Sequence, residues 1–202
     1  MTYNVKIGKQ EQDQRTYENT AEARRVTMTD SIGNSIGVDS STNTLQSINY
    51  EHHEIHSGSH FYLCNYKTLG SGDIEDFTYT TSNTVEWLHL TFAFQGTGAI
   101  SFEIFEGAVV DAAGIVLIPR NNNRNSANVT SGIARVGDTF TSEGTSIYAQ
   151  FSGANKVAGF AEREREIILK QNTVYIFKLT NQTNLNNTVS WCAEWYEHTD
   201  KN

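Results

Sequence analysis

Residues 85–94 read VEWLHLTFAF and residues 99–106 read AISFEIFE, with the glycine-containing segment QGTG at 95–98 between them. In the first stretch large apolar residues recur at every second position from Leu88 to Phe94, and the second stretch alternates in the same way. Side chains at alternate positions share one face of a β-strand, whereas a helix repeats about every 3.6 residues. The two stretches therefore predict two β-strands, each with an apolar face.

Strand-like segments of this kind recur along the chain from Ile48 onward. They follow one another about every 8–14 residues, a spacing typical of antiparallel sandwiches. Proline occurs once, at Pro119, and no segment has a convincing helical period. The further candidate strands are 60–66, 74–80, 115–118, 129–136, 145–151, 164–169, 174–180 and 189–196. The sequence thus predicts an all-β fold, a jelly-roll-like antiparallel β-sandwich, with surface loops at 121–128 and 153–159.

The first 45 residues differ from the remainder, because they are polar, rich in Thr, Ser, Asn and Gln, and carry only scattered apolar residues. Residues 23–29 and 35–38 are candidates for a short hairpin around the turn-like segment 30–34. Such a segment buries too little apolar surface to offset its ordering entropy, so it gains order on a partner. We predict an extended N-terminal arm at 1–45 and a β-sandwich domain at 46–202.

The charge of the chain bears on its partners. There are 15 Lys and Arg against 23 Asp and Glu, a formal net charge of −8. Nucleic-acid affinity depends on clustered basic side chains that neutralise phosphates, and none is evident. No apolar run approaches the roughly 20 residues of a membrane span, and residues 1–14 lack the apolar centre of a secretory signal. We expect neither nucleic acid nor membrane as a partner, and synthesis in the cytosol without export by that route.

Cys64 and Cys192 are far apart in sequence, and each lies within a strand-like segment. Neighbouring strands can bring such residues together, but proteins of the cytosol usually keep their thiols reduced. We expect two buried thiols rather than a bridge, and the distance between them stays open.

The main candidates for a metal site are the histidines and glutamates of one stretch, His52, His53, His56 and His60 with Glu51 and Glu54. His52, His56 and His60 would share one side of a strand. The segment 57–59, Ser-Gly-Ser, argues against a helix there, and in a strand successive members would lie about 13 Å apart. One ion needs ligands at about 2 Å, so a metal would require a sharp bend or a second chain. We predict no metal and no cofactor, with histidines that hydrogen-bond locally or pack at a subunit contact.

Catalytic patterns are weak in this sequence. It contains no Gly-x-Ser-x-Gly nucleophile elbow, and two strand cysteines do not define a Cys–His pair. Carboxylates are frequent, but any acidic β-sandwich offers pairs of them. We predict that the protein is not an enzyme.

Two further stretches are candidates for contacts. In 162–166, Glu and Arg alternate, so that in a strand Arg163 and Arg165 would face one way and meet carboxylates of a neighbouring copy. The alternative is a solvated edge that resists unwanted pairing. Trp195 is the other case: alternation predicts Trp191 and Trp195 inside and Tyr196 on the opposite face, with a sugar-stacking surface at Trp195 and Tyr196 as the alternative.

The run at 121–125, Asn-Asn-Asn-Arg-Asn, has the side-chain amides that cap turns and hold a long loop in one shape. We predict a well-ordered loop whose fixed shape serves assembly. With the residues above it completes the set of predicted interface residues: Asn121, Asn123, Arg124, Asn125, Arg163, Arg165, His52 and His56.

The chain resembles a family of tailed-bacteriophage virion proteins, small β-rich capsid decoration or head structural proteins. The stretches that carry the resemblance are 51–61, 121–125, 164–173 and 195–198, and together they span roughly residues 48 to 200 in the same order. The resemblance implies a structural role at the capsid surface, with the major capsid protein as partner and assembly in the host cytoplasm. We expect a homo-oligomer, a trimer by preference. The alternative is a carbohydrate-binding module or receptor-binding fibre component that binds host glycans.

Overall fold

The computed structural model describes residues 50–84, 87–160 and 165–198. Within these ranges the chain forms one helix and fourteen strands, numbered here in chain order. They are α1 (Tyr50–Ser57), β1 (His60–Leu69), β2 (Ile74–Thr80), β3 (Trp87–Gly96), β4 (Ile100–Glu106), β5 (Val109–Ala112), β6 (Ile115–Leu117), β7 (Arg120–Asn121), β8 (Ile133–Val136), β9 (Thr139–Ser142), β10 (Thr145–Ser152), β11 (Val157–Phe160), β12 (Ile167–Leu169), β13 (Val174–Asn181) and β14 (Asn187–His198).

Sheet 1 has the strand order β11-β3-β14-β1-β7, with β12 also paired to β3. Its pairs are antiparallel. The last strand, β14, lies between β1 and β3, so that Tyr196 is opposite His60 on one side and opposite His89 on the other. Segments that are distant in sequence therefore meet at the centre of this sheet.

Sheet 2 has the strand order β10-β4-β13-β2-β8-β6 and is also antiparallel. β5 and β9 form a separate two-stranded ribbon. The first four strands alternate between the sheets, with β1 and β3 in sheet 1 and β2 and β4 in sheet 2. The segment 115–136 begins and ends at the β6 edge of sheet 2 but reaches sheet 1 in between, because β7 pairs with β1.

The two sheets enclose an aromatic core. Phe77 of sheet 2 stacks on Phe177 of the neighbouring strand at a ring-centroid distance of 4.5 Å and on Trp191 of sheet 1 at 4.3 Å. Phe92 of sheet 1 stacks on Phe102 of sheet 2 at 4.2 Å. Full burial of one such apolar side chain contributes roughly 1.5–3 kcal/mol, so these contacts between sheets are the main source of stability.

The predicted fold class is confirmed: the described residues form an all-β, antiparallel β-sandwich. Leu88, Leu90, Phe92 and Phe94 are buried on the inner face of β3, as the alternation predicts. The finer jelly-roll arrangement stays a prediction, with which the alternation of β1 to β4 between the sheets is compatible. The predicted arm, its hairpin and the boundary at 45/46 lie outside the described residues.

The prediction that the histidine-rich stretch is not helical is wrong, because it forms α1. Gly58 follows the helix with a φ of +76°. Its N–H donates to Ile55 O at 3.1 Å, and the N–H of Ser59 donates to Glu54 O at 3.0 Å. This bond pair is the Schellman ending of a helix, so the glycine terminates the helix rather than preventing it. No helix among the described residues is long and apolar enough to cross a membrane.

The strand predicted at 129–136 begins later, at Ile133. The residues before it bond to a side chain instead of a neighbouring strand. The Ser131 N–H donates to Glu197 Oε2 at 2.9 Å, and the Thr130 hydroxyl donates to Glu197 Oε1. Polar contacts to this buried carboxylate therefore replace the expected ladder.

Two other boundaries also differ from the prediction. β12 begins at Ile167, which pairs with Leu90 of β3, rather than at residue 164. The loop predicted at 153–159 ends earlier, because β11 begins at Val157 and pairs with β3 from Gln95 onward. In both cases the pairing partner is β3, which the local pattern does not identify.

Cys64 and Cys192 form a disulfide, with Cα atoms 4.1 Å apart, so the prediction of reduced buried thiols is wrong. The two residues are directly opposite each other on β1 and β14. Cys64 is exposed and Cys192 half-buried on the outer face of sheet 1. The bridge depends on the register of two strands separated by 128 residues, which local sequence patterns do not contain.

Candidate functional site

α1 packs against β1 and β14 at one end of sheet 1. Residues 50–60 and the Asn-rich loop 121–128 meet there, and we call them together the α1 corner. Glu54 belongs to α1, and its side chain is buried. The Ser57 hydroxyl donates to Glu54 O at 2.9 Å, and the Ser59 hydroxyl donates to its Oε2 atom. The buried carboxylate thus holds the chain where α1 ends and β1 begins.

Asn121, the first residue of the loop, is at the centre of its hydrogen-bond network and is itself buried. Its amide nitrogen donates to Gly58 O at 2.8 Å and to Asn128 O at 3.3 Å. Its amide oxygen accepts the Asn123 N–H at 2.8 Å. One side chain therefore caps a turn of the loop and also ties the loop to the end of α1.

The next residues extend the same network. The amide nitrogen of Asn123 donates to His56 O at 3.1 Å, and its oxygen accepts the Asn125 N–H at 3.1 Å. Arg124 donates from Nη1 to Asn121 O at 3.4 Å. The predicted role of these amides in holding the loop in one shape is confirmed, and their role in assembly stays a prediction.

The outer surface of the α1 corner presents two stacked imidazoles. The rings of His52 and His56 lie one turn apart on α1, with centroids 4.7 Å apart and Nε2 atoms 3.0 Å apart. Both are exposed, as are Arg124 and Asn125. The structure therefore brings six of the eight predicted interface residues together at one corner.

The two remaining interface candidates are separate from this corner. Arg163 lies outside the described residues, and Arg165 is exposed in a short turn before β12. The alternation of charges expected for a strand does not hold at Arg165, which precedes the strand. Glu166 next to it faces sheet 1, where its Oε1 atom lies 2.7 Å from His89 Nδ1.

The closing segment 195–198 is divided between the two faces of β14. On the inner side, Trp195 is 3% exposed and donates from Nε1 to Glu197 Oε1 at 3.0 Å. The Tyr79 hydroxyl also donates to this oxygen, at 3.0 Å. Burial, together with the charge of Glu197, raises the pKa of Tyr79, so this hydroxyl keeps its proton. The prediction that Trp191 and Trp195 are inside is confirmed.

On the outer side a row of rings crosses sheet 1. The Tyr196 ring lies 4.5 Å from the His89 ring and 6.3 Å from the His60 ring. The His198 ring lies 5.1 Å from His89, and the Tyr196 hydroxyl donates to Glu166 Oε1 at 3.0 Å. Tyr196 is therefore buried although it points away from the core. The sugar-stacking surface considered at Trp195 and Tyr196 is wrong, because both rings are covered.

Next to this row, three elements bring a cluster of titratable groups together. Glu51 of α1, His60 of β1 and Glu194 of β14 have side-chain ligand atoms within 4.8 Å of one another. His60 is 2% exposed. Burial lowers the pKa of its imidazole, against the opposing effect of the carboxylates of Glu51 and Glu194. His60 thus lies buried between two acidic side chains.

A shallow groove of about 400 Å³ lies on the outer face of sheet 1, away from the α1 corner. Small residues, Ala93, Ser190 and Cys192, lie along it, and Tyr66 and Val157 are among its other lining residues. Tyr66 is 76% exposed. This ring is a better candidate for stacking on a sugar than the buried Trp195.

The β6 edge of sheet 2 is exposed and apolar. Among the described residues, β6 pairs with β8 and with no other strand. Ile115 is 74% exposed and Val116 58% exposed, and Ile118 and Ile133 beside them are also exposed. We call these four residues the apolar edge. The same segment 115–136 carries the Asn-rich loop, so the apolar edge and the α1 corner are linked by a short length of chain.

Sequence reasoning did not identify the contacts of His89, Glu166 and Glu194, which depend on how distant strands pair. It named Glu51 and His60 as metal-site candidates but did not expect the helix that places Glu51 beside His60. The alternation of β14 does indicate that Tyr196 and His198 share a face, and this pattern could have predicted that both belong to one row of rings.

Comparisons of the chain with known protein families, curated proteins and solved structures find no match.

Proposed function

We propose that this protein is a structural protein of a phage virion that decorates or cements the capsid by binding the major capsid protein, without catalysing a reaction. The observation that carries the proposal is the apolar edge around β6, the strand at the end of the order of sheet 2. The resemblance of the sequence to tailed-phage virion proteins supports it. The proposed location is the capsid surface, after assembly in the host cytoplasm.

The apolar edge has the properties of a protein contact. Soluble monomers rarely expose grouped apolar side chains unless these bind a partner. An edge strand also offers unpaired backbone N–H and C=O groups, to which a strand of another chain can be added. Ile115 and Val116 combine both features on β6. A protein partner that covers this edge would bury apolar surface and complete the sheet.

The α1 corner supplies a second, polar part of the proposed contact. Hydrogen bonds from Asn121 and Asn123 to Gly58 O and His56 O fix the loop on the helix. A contact surface that is already ordered loses less conformational entropy on binding. The exposed His52 and Arg124 are therefore presented to a partner in a fixed arrangement. We propose that the α1 corner also makes the contacts between subunits of a homotrimer on the capsid.

Attachment to shells that lack this protein tests the proposal. Purified protein would be mixed with such shells and its bound fraction measured by sedimentation. The Val116→Lys/Ile118→Lys variant places charge on the apolar edge, and we expect it to lose most attachment while it stays folded. Leu185→Lys is the matched control, because Leu185 is 71% exposed and is not part of the apolar edge. It lies just before Asn187, the first residue of β14.

Three outcomes would contradict parts of this proposal. A parent protein that does not sediment with the shells contradicts the cement function itself. A Val116→Lys/Ile118→Lys variant that binds as the parent does moves the contact away from the apolar edge. A monomer by analytical ultracentrifugation, both free and on release from shells, contradicts the trimer.

Binding of host glycans is the second candidate function, and the exposed Tyr66 beside the groove on sheet 1 favours it. Aromatic rings with one free face stack on sugars, and Tyr also offers a hydroxyl for hydrogen bonding. A glycan array with the parent and with Tyr66→Ala tests this function. A glycan bound by the parent and lost in Tyr66→Ala supports it, and an array without any bound glycan contradicts it.

A further inference from the structure

We propose that Glu51, His60 and Glu194 form a binding site for one divalent transition-metal ion, with Zn²⁺ as the best fit. Their ligand atoms lie within 4.8 Å of one another and come from α1, β1 and β14. Imidazole nitrogen and carboxylate oxygen are both ordinary zinc ligands. The ion would link the helix to the two strands on which it packs.

The distance between two of these atoms is informative. His60 Nε2 lies 3.5 Å from Glu51 Oε1. This separation is longer than a good N–H···O hydrogen bond, which spans about 2.7–3.2 Å. Two ligands held about 2.0–2.2 Å from a tetrahedral zinc lie about 3.3–3.6 Å apart. The imidazole and the carboxylate are thus spaced as two ligands of one ion.

The other ring nitrogen of His60 has a partner that would orient the ring. Nδ1 lies 2.6 Å from the side-chain amide nitrogen of Asn122, whose backbone N–H donates to His60 O at 2.9 Å. A half-turn of this amide places its oxygen on Nδ1–H. Metal-bound histidines commonly donate their second N–H to a carbonyl in this way, which directs the Nε2 lone pair at the ion. The Asn-rich loop then has a positioning role at the site.

The charge of the cluster also suits a cation. A metal ion binds imidazole through the lone pair of a ring nitrogen. Glu51 and Glu194 contribute two negative charges when ionised, and a divalent ion would balance both. Three protein ligands leave at least one coordination position for water or for a partner's side chain.

A different pair of histidines provides the control. His52 and His56 have Nε2 atoms 3.0 Å apart on the exposed face of α1. Such a surface pair offers only two ligands but can also bind zinc. His52→Gln/His56→Gln removes this pair and leaves the proposed ligands in place.

Titration of the full chain with ZnCl₂, after treatment with chelator and dialysis, tests the proposal. Calorimetry should show one zinc per chain, and zinc should raise the melting temperature. Glu51→Gln and Glu194→Gln should each weaken zinc binding at least about tenfold, and so should Asn122→Ala through the orientation of His60. The melting temperature of each variant without metal, compared with that of the parent, separates loss of a ligand from loss of the fold. His52→Gln/His56→Gln should bind zinc as the parent does.

Two results would overturn the proposal. One is a parent protein that neither binds zinc nor melts higher with it. The other is zinc binding that survives in Glu51→Gln and Glu194→Gln but disappears in His52→Gln/His56→Gln, which would assign the metal to the surface pair. Parallel titrations with CaCl₂ and MgCl₂ test the choice of ion, and tighter binding of either would overturn the assignment to zinc.

Discussion

The inner and outer faces of β14 are built in different ways. The inner face carries Trp191 and Trp195, which are buried against aromatic rings of both sheets. The outer face carries Cys192, Glu194 and Tyr196, which contact a disulfide partner, a charged cluster and a row of stacked rings. Apolar burial requires only the right period, whereas each polar or covalent contact requires a particular partner. The inner face therefore depends on pattern and the outer face on register.

The largest expected effect comes from the inner face. Trp195→Ala should lower the free energy of unfolding by about 3–5 kcal/mol, because it leaves a cavity and removes a donor to the buried Glu197. Urea unfolding measures this difference. Tyr66→Ala, at an exposed ring on the outer face, is the control and should change stability by less than about 0.5 kcal/mol.

This comparison fails if Trp195→Ala is as stable as the parent. A large loss in Tyr66→Ala would show that the groove on the outer face contributes to the fold, contrary to its exposure.

The disulfide should give the next largest effect. Cys64→Ser/Cys192→Ser removes a cross-link between residues 128 positions apart, and we expect a loss of about 2–4 kcal/mol. Urea unfolding of the parent with and without reductant, beside the variant, measures it. The reduced parent should unfold at the midpoint of the variant. Equal midpoints for the oxidised parent and the variant would show that the bridge does not stabilise the outer face.

Asn121→Ala tests a buried polar contact at the α1 corner. The change removes the bonds to Gly58 O and Asn128 O and leaves buried groups without these partners, which costs about 1–3 kcal/mol. Asn125→Ala is the matched control, because this residue of the same loop is exposed. Thermal melts of both variants suffice. An equal change in melting temperature for the two variants would mean that burial of Asn121 does not contribute to stability.

The smallest expected effect is that of a polar contact within reach of water. Glu106 accepts Lys170 Nζ at 2.6 Å and the Tyr175 hydroxyl at 2.9 Å. The Lys170 hydrogen bond is the main cause that lowers the pKa of Glu106. A lowered folded-state pKa stabilises above the unfolded value of about 4.3 and is lost as pH falls through the folded value. Glu106→Gln should therefore cost less than about 1 kcal/mol at pH 7.

Stability curves of Glu106→Gln and the parent at several pH values check this sign. The difference between them should shrink as the pH falls below about 4. A difference that grows in acid would mean that the folded-state pKa of Glu106 is raised rather than lowered.

The core could be predicted from the sequence because its information is local. Alternation from Leu88 to Phe94 identifies a buried face without knowledge of any partner strand. The disulfide could not be predicted in this way, since Cys64 meets Cys192 only after β1 and β14 are in register. At α1 the signal was local but was misread, because Gly58 ends a helix rather than excluding one.

The candidate site follows the same division. The capping amides of Asn121 and Asn123 were recognisable from composition, because amides cap turns within their own loop. Glu51 and His60 were recognisable as candidates within one stretch, but their grouping with Glu194 was not, because it needs both the helix and the register of β14. The exposure of Ile115 on an edge strand likewise depends on strand order, which periodicity does not specify.

The central place of β14 in sheet 1 has a consequence for synthesis of the chain. While the ribosome makes the earlier strands, β1 and β3 lack the strand that separates and joins them, and their apolar faces and edges are open. Sheet 1 closes only after residues 187–198 have been made and have paired with β1 and β3. Contacts between such distant segments fold slowly, and until then the nascent chain is prone to aggregate. Chaperones of the producing cell would protect the chain during this interval.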